Sequence, residues 1–330
     1  MTIEPLIPGI YPRSERLVQT TRDHDRDRVG DDRLEADRRR DLENLIGVQA
    51  SAGYDRVSPG LLTWQDHFRP FTGIVPTLQT ETLTRFIDTN TFYRRPDLAD
   101  GTVEYDPDGL DALLAEHVPE TGSLGTVCTL PSPTAWVGAA RDDDWAYPDV
   151  DLTGAVAETV YEPLLGALRD RSIETLVLTD PWLARHPDPA GVLATLPATE
   201  TWLPSELEVI AQFPFQDAGP FIDDIATLDV DGVILDLVET DREALADLGT
   251  HQTVGLGLVD ARSSLVEDDD LLLEAVGSAL EVAGRDRAYL TPTGDLQHVP
   301  EPIAREKVRA IGRAARRANR QQVRAGGVAP

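Results

Sequence analysis

Six short apolar runs, separated by stretches with helical periodicity, constrain the fold of this chain more than any other feature. Each run is apolar along most of its length, so both faces of each predicted strand are expected to be covered. Such strands, alternating with helices, are typical of βαβ units and a parallel sheet. The six predicted strands are Thr126–Leu130, Thr175–Thr179, Glu208–Gln212, Gly232–Asp236, Thr253–Val259 and Arg287–Thr291.

Two further segments, Arg56–Ser58 and Arg85–Thr89, are plausible strands, which brings the total to the eight of a (β/α)8 TIM barrel. A doubly wound open sheet is the alternative. No G-x-G-x-x-G follows the first strand, which weakens a dinucleotide-binding version of that alternative. We therefore predict one α/β barrel domain over residues 1–330, with helices at Ala155–Arg169, Pro220–Leu228, Arg242–Leu248 and Asp269–Val282.

Three charged or terminal segments are expected to lie outside the barrel core. Residues 14–46 are dense in Arg and Asp, and the interleaved signs favour a solvated helical segment with i,i+4 ion pairs. Arg141–Val150 is charged and contains a proline, which favours a surface loop. Residues 318–330 are predicted to form a flexible tail.

The chain carries 58 Asp and Glu against 30 Lys and Arg, a net charge of −28, and Lys307 is its only lysine. An acidic surface that uses arginine in place of lysine favours a halophilic protein, hydrated in a high-salt cytoplasm. The charge counts against nucleic-acid binding, which needs a basic face. One cysteine, Cys128, and the absence of a signal-peptide pattern or a long apolar run favour a cytoplasmic protein without disulfides.

The closing segment resembles a known family. Residues 254–296, VGLGLVDARSSLVEDDDLLLEAVGSALEVAGRDRAYLTPTGDL, look like the end of the cobalamin-independent methionine synthase family. The family pattern there is G-V-V-D-x-K-S-x-x-V-E, a helix, and L-W-V-N-P-D-C-G-L. Asp260, Ser263, Val266 and Glu267 match the first part, Pro292 and Leu296 match the second, and Arg262 stands where the family has Lys.

Segments near the start of the chain agree with this resemblance. GIYPR at 9–13 is similar to G-S-[FY]-P-R, and SPGLLTWQDH at 58–67 is similar to G-x-F-T-x-Y-D-H. RFIDTNTFYRRP at 85–96 is similar to W-F-D-T-N-Y-H-Y-x-x-P. The resemblance implies a barrel of the uroporphyrinogen decarboxylase and methionine synthase type across nearly the whole chain.

The resemblance also implies where a zinc ion would be held in family members that perform the chemistry. The ligands are a His-x-Cys pair after one strand, a Glu after the next, and the Cys of N-P-D-C-G. The corresponding positions here are Gln212, Pro214, Asp236 and Gly294, of which only Asp236 could ligate well. The D-E-P motif that helps to hold homocysteine is present as Thr179-Asp180-Pro181, without its first acid.

These differences lead to the hypothesis of a zinc-free, amino-terminal-type half of a split methionine synthase. It would act with a zinc-bearing paralogue of similar size and bind the folate methyl donor, with no cofactor of its own. One alternative is a non-catalytic folate-binding or regulatory barrel that stabilises such a paralogue. Another is a metal-free enzyme of the uroporphyrinogen decarboxylase type, for which only Arg13 and Arg262 are candidate arginines.

The candidate binding residues each have a structural alternative. Trp64, Asp66 and His67 could line a pterin or partner surface, or form a packed loop in which His67 bonds to Asp66. Asp88 and Asn90 could contact substrate or cap a turn, and Trp136 could stack on a pterin or pack in the core. Arg13 could hold a carboxylate or form a surface ion pair, and Asp180 could contact substrate or cap a turn. Asp236 and Asp295 together could bind a hard cation, and Arg262 completes the set of candidates.

Overall fold

The computed structural model describes residues 2–98, 101–115, 124–140, 152–171, 173–186, 188–196, 202–203 and 206–326. The strands in these residues are β1 (Thr2–Pro5), β2 (Arg56–Val57), β3 (Leu78–Arg85), β4 (Phe92–Leu98), β5 (Gly125–Pro131), β6 (Thr175–Thr179), β7 (Glu208–Phe213), β8 (Gly232–Asp236), β9 (Thr253–Val259) and β10 (Arg287–Pro292). The helices are α1 (Glu15–His24), α2 (Asp31–Ala52), α3 (Leu110–Ala115), α4 (Pro133–Ala140), α5 (Leu152–Val156), α6 (Glu162–Arg169), α7 (Pro189–Ala194), α8 (Ile222–Ala226), α9 (Asp269–Ala283) and α10 (Glu301–Gly326). A π-helical turn, Ala157–Tyr161, joins α5 to α6, and Arg242–Ala246 is a 3₁₀-helix.

Eight strands form one parallel sheet in the order β1-β10-β9-β8-β7-β6-β5-β2, which confirms the predicted α/β fold. All six apolar runs are strands of this sheet, and the predicted strand at Arg56–Ser58 is β2. The predicted strand Arg85–Thr89 is wrong, because Arg85 ends β3, which pairs antiparallel with β4 outside the barrel sheet. The eighth barrel strand is β1 instead, whose sequence TIEP is too short and too mixed in polarity to stand out.

The sheet curls, so that side chains from strands far apart in this order meet inside it. Its middle layer is the apolar cluster of Leu6, Val127, Val177, Ile210, Ile234 and Tyr289. Because side chains alternate along a strand, residues two positions further on face the same interior. In five strands these residues are polar and buried, namely Thr129, Thr179, Gln212, Asp236 and Thr291. This polar upper layer lies at the carboxyl ends of the strands, where barrel enzymes place their functional groups.

The two ends of the sheet, β1 and β2, are not paired with each other as strands. Two other contacts join them. Below the apolar layer, Arg56 Nη2 donates to Glu4 Oε2 at 2.6 Å, and above it the Tyr11 N–H donates to the Gly60 carbonyl at 2.9 Å. Arg56 also forms an ion pair with Glu208 of β7. An ion network therefore closes the floor of the barrel at its seam.

The charged segment predicted at 14–46 forms most of α1 and α2. It is not simply solvated, because Asp37 and Asp41 of α2 are buried against α1. Arg16 Nε lies 2.9 Å from Asp37 Oδ1, and the expected i,i+4 pairing occurs at Arg33 and Asp37, at 3.0 Å. The alternating charges therefore hold two helices together as well as solvating their outer sides.

The tail predicted from residue 318 onward is helical at its start, since α10 continues to Gly326. Asn319 ties this part of α10 to β1, because its side chain exchanges hydrogen bonds of 2.7 and 2.9 Å with the backbone of Ile3. The structure gives residues 318–326 a helical conformation, and their flexibility stays a prediction. Residues 327–330 and the predicted loop Arg141–Val150 lie outside the described residues. Within the described part of the chain, no helix combines the length and apolarity needed to cross a bilayer.

Lys307 is fully buried in α10. Its Nζ donates to the Leu265 carbonyl at 2.6 Å and to both carboxylate oxygens of Glu267, at 2.9 and 3.0 Å. Glu267 Oε1 also accepts the Asp260 N–H at 3.0 Å. A compact ammonium with three rotatable donors can serve several acceptors from one point. Lys307 therefore fixes the loop at 260–268 that follows β9.

Candidate functional site

The β3–β4 hairpin and aromatic side chains of neighbouring loops cover the carboxyl ends of the barrel strands. Phe86, which directly follows β3, is buried and stacks on His298 with ring centroids 5.3 Å apart. It also meets Trp182 at 5.3 Å and Phe215 at 6.2 Å, in both cases edge-on. We call Phe86, Trp182, Phe215 and His298 the aromatic cover. It separates the polar upper layer from the outer side of the hairpin.

Three of the segments singled out in the sequence meet at the seam between β1, β2 and β10. His67 Nε2 lies 2.6 Å from Asp295 Oδ2, and both side chains are buried. Gly9 has a φ of 80°, and a Cβ built on it would lie 1.7 Å from Asp295 Oδ1. Glycine is therefore required at this position. The interpretation that His67 bonds to Asp66 is wrong, because Asp295 takes that place.

The two groups of this pair stabilise each other's charged forms. Burial alone would lower the pKa of His67, but the charge of Asp295 and the hydrogen bond between them raise it above its ordinary value. Burial alone would raise the pKa of Asp295, but the charge and hydrogen bond of His67 hold it below its ordinary value. The interaction therefore favours the histidinium form of His67 and the carboxylate form of Asp295.

His298 is a second, half-buried histidine next to this pair, and it is neutral. Burial lowers its pKa from 6.5 to about 4, despite the negative charge of Asp295. Its Nδ1 lies 3.0 Å from Thr91 Oγ1 in the hairpin, whereas its Nε2 has no hydrogen-bond partner among the described residues. His298 thus contacts the hairpin in two ways, by stacking on Phe86 and through the hydrogen bond to Thr91.

We expect His298 to make the fold less stable as the pH falls. Its pKa is lower in the folded chain than in the unfolded chain, so the unfolded state binds more protons between about pH 6.5 and 4, and the free energy of unfolding falls as the pH decreases through this range. The difference corresponds to a loss of about 3 kcal/mol. His298→Phe keeps the ring contacts and removes the titration. Urea unfolding at both ends of this pH range should show a smaller acid loss for the variant, and equal losses in the two proteins would contradict this assignment.

The four positions that the resemblance aligns with zinc ligands do not form a zinc site. Gln212 is fully buried, and neither polar atom of its amide has a hydrogen-bond partner in the described part of the chain. Pro214 and Gly294 have no ligating atom in their side chains. A Cβ on Gly294 would lie 2.5 Å from Cζ of Phe215, so the Phe215 ring occupies the space that a larger side chain would need. One carboxylate, that of Asp236, is left, and zinc in proteins requires three or four such ligands.

The carboxylate of Asp236 is already engaged by backbone groups. Its Oδ1 accepts the N–H groups of Val238 and Glu239 at 2.9 and 3.2 Å, and its Oδ2 accepts the Phe215 N–H at 3.0 Å. Burial raises the pKa of Asp236 to about 6, although these hydrogen bonds and the charge of Arg262 act in the opposite direction. Asp236 therefore sets the conformation of the two loops at the ends of β7 and β8.

Arg262, the second candidate on this side, belongs to the rim of the barrel. It forms an ion pair with Glu239, and its guanidinium lies 5.1 Å from the centre of the Phe215 ring. The hard-cation interpretation of Asp236 and Asp295 finds no support, since His67 engages Asp295. Within the described ranges, no three His, Cys, Asp or Glu side chains are grouped so that they could hold a metal ion.

The structure places Trp64, Asp66 and Trp136 in packed positions. Trp136 is 1% exposed and Trp64 is 3% exposed, so neither offers a face for stacking a ligand. Asp66 Oδ1 accepts the Arg69 N–H at 2.8 Å, and its Oδ2 accepts the Arg94 N–H of β4 at 3.1 Å. Asp66 thus anchors the hairpin to the loop that carries His67. Asp88 and Asn90 lie exposed at the hairpin tip, outside the aromatic cover.

Asp180 caps a turn and also borders a cavity of about 390 Å³ between the outer side of the sheet and α7. Its carboxylate accepts the Trp182 N–H at 2.9 Å and the hydroxyl groups of Ser132 and Thr134. Burial raises the pKa of Asp180 above its ordinary value, against the effect of these hydrogen bonds. The other lining residues are mostly apolar. The Asp180 carboxylate is used in hydrogen bonds that stabilise the fold.

Arg13 lies in a different place, in a cavity of about 310 Å³ beside α1 and α2. Burial and the charge of Arg22 lower its pKa below the ordinary value, despite Asp25 nearby. Among the described residues, no carboxylate lies within ion-pair distance of Arg13. The lining residues are Arg13, Leu17, Thr21, Asp31, Leu34, Glu35, Arg38, Leu62 and Thr63. Arg262 is not among them, so the two arginines proposed for a decarboxylase-type mouth do not converge.

Sequence reasoning missed the aromatic cover and the partner of His67. Phe215 has a φ of 60°, an uncommon conformation for a side-chain-bearing residue, and nothing in the sequence signals it. The segment Thr293-Gly294-Asp295 carries one usable signal. It has glycine and aspartate where the family has cysteine and glycine, so a new carboxylate stands next to the place of a lost ligand.

Comparison with known proteins supports the relationship that the motifs indicated. Residues 202–317 match the family described as the cobalamin-independent synthase catalytic domain. The 5-methyltetrahydropteroyltriglutamate–homocysteine methyltransferase of Burkholderia thailandensis is 26% identical over 276 residues, which cover 80% of this chain and 34% of that protein. The Burkholderia pseudomallei protein of the same name is 26% identical over 274 residues. The chain thus spans about a third of the length of these relatives.

Solved structures share the fold at low sequence identity. A B12-independent methionine synthase from Shewanella, in complex with selenomethionine, has a TM-score of 0.73 at 15% identity, and the match covers 90% of this chain and 92% of that one. A putative vitamin B12-independent methionine synthase from Listeria monocytogenes has a TM-score of 0.70 at 15% identity, with 96% and 99% covered. The halophilic origin and the zinc-free half remain predictions. The chain is related to the cobalamin-independent synthase catalytic-domain family, whose model it matches over residues 202–317.

Proposed function

We propose that this chain is the zinc-free component of a split cobalamin-independent methionine synthase. It binds the methyl-folate donor and acts with a separate, zinc-bearing barrel that binds homocysteine. One observation carries the proposal. In a chain related to these synthases, the metal-ligand positions hold Gln212, Pro214, Asp236 and Gly294, and the Phe215 ring fills the space beside Gly294. The chemistry that activates a thiol must then come from a partner.

The cavity at Arg13 supports a role in holding the acidic tail of the donor. The name of the Burkholderia relatives includes a triglutamate substrate, and its carboxylates suit bidentate contacts with arginine. The two acids of the cavity are already engaged. Glu35 accepts hydrogen bonds of 2.9 and 3.1 Å from Arg38, and Asp31 lies 2.7 Å from His24. Arg13 is then the cation available to an incoming carboxylate.

We expect Arg13→Gln to weaken binding of 5-methyltetrahydropteroyl-triglutamate by about tenfold or more, because a hydrogen bond to a charged group contributes about 1.5–3 kcal/mol. Calorimetry with the purified chain measures the effect. Arg22→Gln is the matched control, since Arg22 is a neighbouring, exposed charge that does not line the cavity. Equal losses of affinity in the two variants would show that the effect comes from the overall charge and not from a contact with Arg13. An unchanged affinity in Arg13→Gln would remove this cavity from the proposal.

Reconstitution tests the proposed function as a whole. The chain and the zinc-bearing paralogue are purified separately, and methyl transfer to homocysteine is assayed for each protein and for their mixture. We expect activity in the mixture that exceeds the sum of the separate proteins. Full activity of this chain alone, or stoichiometric zinc in it by metal analysis, would refute the assignment.

A non-catalytic barrel that only binds and stabilises the paralogue is the second candidate. The aromatic cover favours it, because the hairpin and its neighbours close the upper layer of the barrel. The two candidates differ in the Arg13→Gln variant. A catalytic component carrying this change should raise the KM for the donor in the reconstituted assay, whereas a purely stabilising barrel should leave the KM unchanged.

A further inference from the structure

At and beneath the aromatic cover, the structure leaves polar atoms buried without partners. Gln212 is fully buried, and neither Nε2 nor Oε1 of its amide has a hydrogen-bond partner among the described residues. Nδ1 of His67 and Nε2 of His298 are buried in the same way. Burying such an atom costs the hydrogen bonds that it would make to water. Access to water would therefore stabilise these groups, and the closed form of the cover carries the cost.

A second buried glutamine shows how this fold satisfies an amide elsewhere. Nε2 of Gln49, in α2, donates to the Ser58 carbonyl at 2.8 Å, and its Oε1 accepts the Ser58 N–H at 2.9 Å. Gln49 and Gln212 are both 0% exposed. They differ in position, because Gln212 lies in the polar upper layer near the carboxyl end of β7. The unsatisfied amide is therefore the one that the cover encloses.

Two residues at the cover have a backbone conformation with a positive φ. Ile87, which follows Phe86 in the hairpin, has a φ of 48°, and Phe215 has a φ of 60°. This region is unfavourable for bulky side chains, and most of all for a β-branched residue such as isoleucine. Residues of this kind persist where surrounding contacts hold them, and they are common at clamps and switches. The cover thus contains strained backbone as well as unsatisfied polar atoms.

The tip of the hairpin, residues 86–91, is attached to the barrel through side chains. It makes the ring contacts of Phe86 and the hydrogen bond of Thr91 to His298. Behind the tip, the Tyr93 hydroxyl donates to the Ala139 carbonyl at 3.2 Å and anchors β4. Because β3 and β4 form a two-stranded sheet of their own, the tip can move without breaking the barrel sheet.

The closed form leaves little room between the tip and the barrel. A cavity of about 10 Å³ lies there, and its lining includes His67, Phe86, Thr91 and Trp182. This is space for one water molecule at most. A larger molecule can reach the upper layer by this route only when the tip moves.

We propose that the tip of the β3–β4 hairpin is a lid that opens and closes over the polar upper layer of the barrel. The closed form gains the ring contacts of Phe86, whereas the open form gains the hydration of Gln212. Because these contributions oppose each other, both forms are populated in the free protein. The inference goes beyond the proposed function and does not depend on it, since it holds equally for either candidate function.

The accessibility of thiols in the full chain tests the lid. Thr179→Cys places a thiol in the upper layer, and the native Cys128 is an internal control in the same protein. Cys128 is fully buried and faces away from the barrel interior, because its neighbours Val127 and Thr129 face into it.

We expect iodoacetamide to modify position 179 faster than Cys128 by about tenfold or more, with a weak dependence on urea, because opening of the lid exposes little surface. Peptide mass spectrometry measures both rates. Equal rates with the same steep dependence on urea would mean that the layer is reached only by global unfolding, and they would overturn the lid.

Gln212→Met, added to Thr179→Cys, should slow the reaction at position 179 by about tenfold, because the closed form then no longer buries an unsatisfied amide. Gln49→Met is the matched control. It removes an amide that has its partners, so it should lower the stability of the fold in urea unfolding and leave the rate at position 179 unchanged. A rate in Gln212→Met that is unchanged or faster overturns the proposal.

Phe86→Leu tests whether the hairpin tip is the part that moves. It should accelerate the reaction at position 179 by about tenfold, since the lost ring contacts exist only in the closed form. Phe71→Leu is its control, because Phe71 is also buried among aromatic rings, those of Trp136 and Tyr161, outside the cover. Acceleration in Phe86→Leu alone supports the lid, and equal acceleration in both variants overturns it. Circular dichroism verifies that each variant is folded.

Discussion

Replacing Arg56 with methionine is expected to lower the free energy of unfolding by about 1.5–3 kcal/mol, the usual contribution of hydrogen bonds to charged groups. Arg56 Nη1 donates to Thr175 Oγ1 at 2.6 Å and pairs with Glu208 of β7, and Nη2 reaches Glu4 of β1. The charge of this guanidinium helps to hold the pKa of both carboxylates below the ordinary value, against the effect of burial. Methionine fills much of the volume but leaves Glu4 and Glu208 with only the more exposed Arg287 as a shared cation.

Urea unfolding measures this effect, and two further variants define it. Arg287 contacts the same two carboxylates from a more exposed position, 42% against 12% for Arg56, so Arg287→Met should cost only about 1 kcal/mol. Adding Glu4→Gln and Glu208→Gln to Arg56→Met should recover part of the loss, because the two side chains then no longer repel each other. A loss in Arg56→Met no larger than that in Arg287→Met would show that the network does not close the seam.

Gly9→Ala is expected to cost about 4 kcal/mol, which combines a strained backbone with the loss of a buried ion pair. The new methyl group would fall on the Asp295 carboxylate, which would have to rotate away from His67. His67 would then remain buried without its hydrogen-bond partner. The variant should also lose the stability that the pair contributes.

The contribution of the pair has a defined pH window. The pKa of His67 is raised in the folded chain, so its share is present below about pH 6.5 and is lost as the pH rises through the folded value. The pKa of Asp295 is lowered, so its share is present above about pH 4 and is lost in stronger acid. The difference in unfolding free energy between wild type and Gly9→Ala should therefore be greatest between these limits.

Gly284→Ala separates the two causes of the effect. Gly284 has a φ of 59° at the end of α9, and a Cβ there would have no neighbour within 4 Å. This variant measures the backbone term alone, about 1 kcal/mol. A loss in Gly9→Ala no greater than that in Gly284→Ala would mean that Asp295 moves aside without cost, and the ion pair would then contribute little to stability.

The sequence predicts the central strands well and the seam poorly, for one physical reason. The strands β6, β8 and β9 have the predicted bounds, because a strand buried on both faces must be apolar throughout and is visible locally. The short strands β1 and β2 depend on contacts such as Arg56 with Glu4, which no local window contains. The segment Arg85–Thr89 was predicted to be a barrel strand, and its first residue does belong to a strand, β3. However, β3 pairs with β4 and not with the barrel sheet.

The candidate site shows the same division. His67 could be singled out because it lies in a recognisable motif, and Asp236 because it ends a strand, whereas the resemblance supplied the positions of the missing zinc ligands. The partner of His67 could not be identified, since Asp295 lies 228 residues away and meets it only when the sheet curls. The Phe215 ring fills the space beside Gly294, one of the aligned ligand positions. It does so from a backbone conformation with a positive φ, which phenylalanine does not favour. The resemblance therefore indicated the candidate positions, whereas the side chains that surround them depend on packing between distant parts of the chain.

The burial of Lys307 also gives the folded chain an unusual chemical property. A reagent that acylates amines has a single side-chain target in this polypeptide, and that target is enclosed beneath the strap formed by residues 260–268. The labelling rate of this one nitrogen therefore reports how often the strap lifts, and it does so in the unaltered protein.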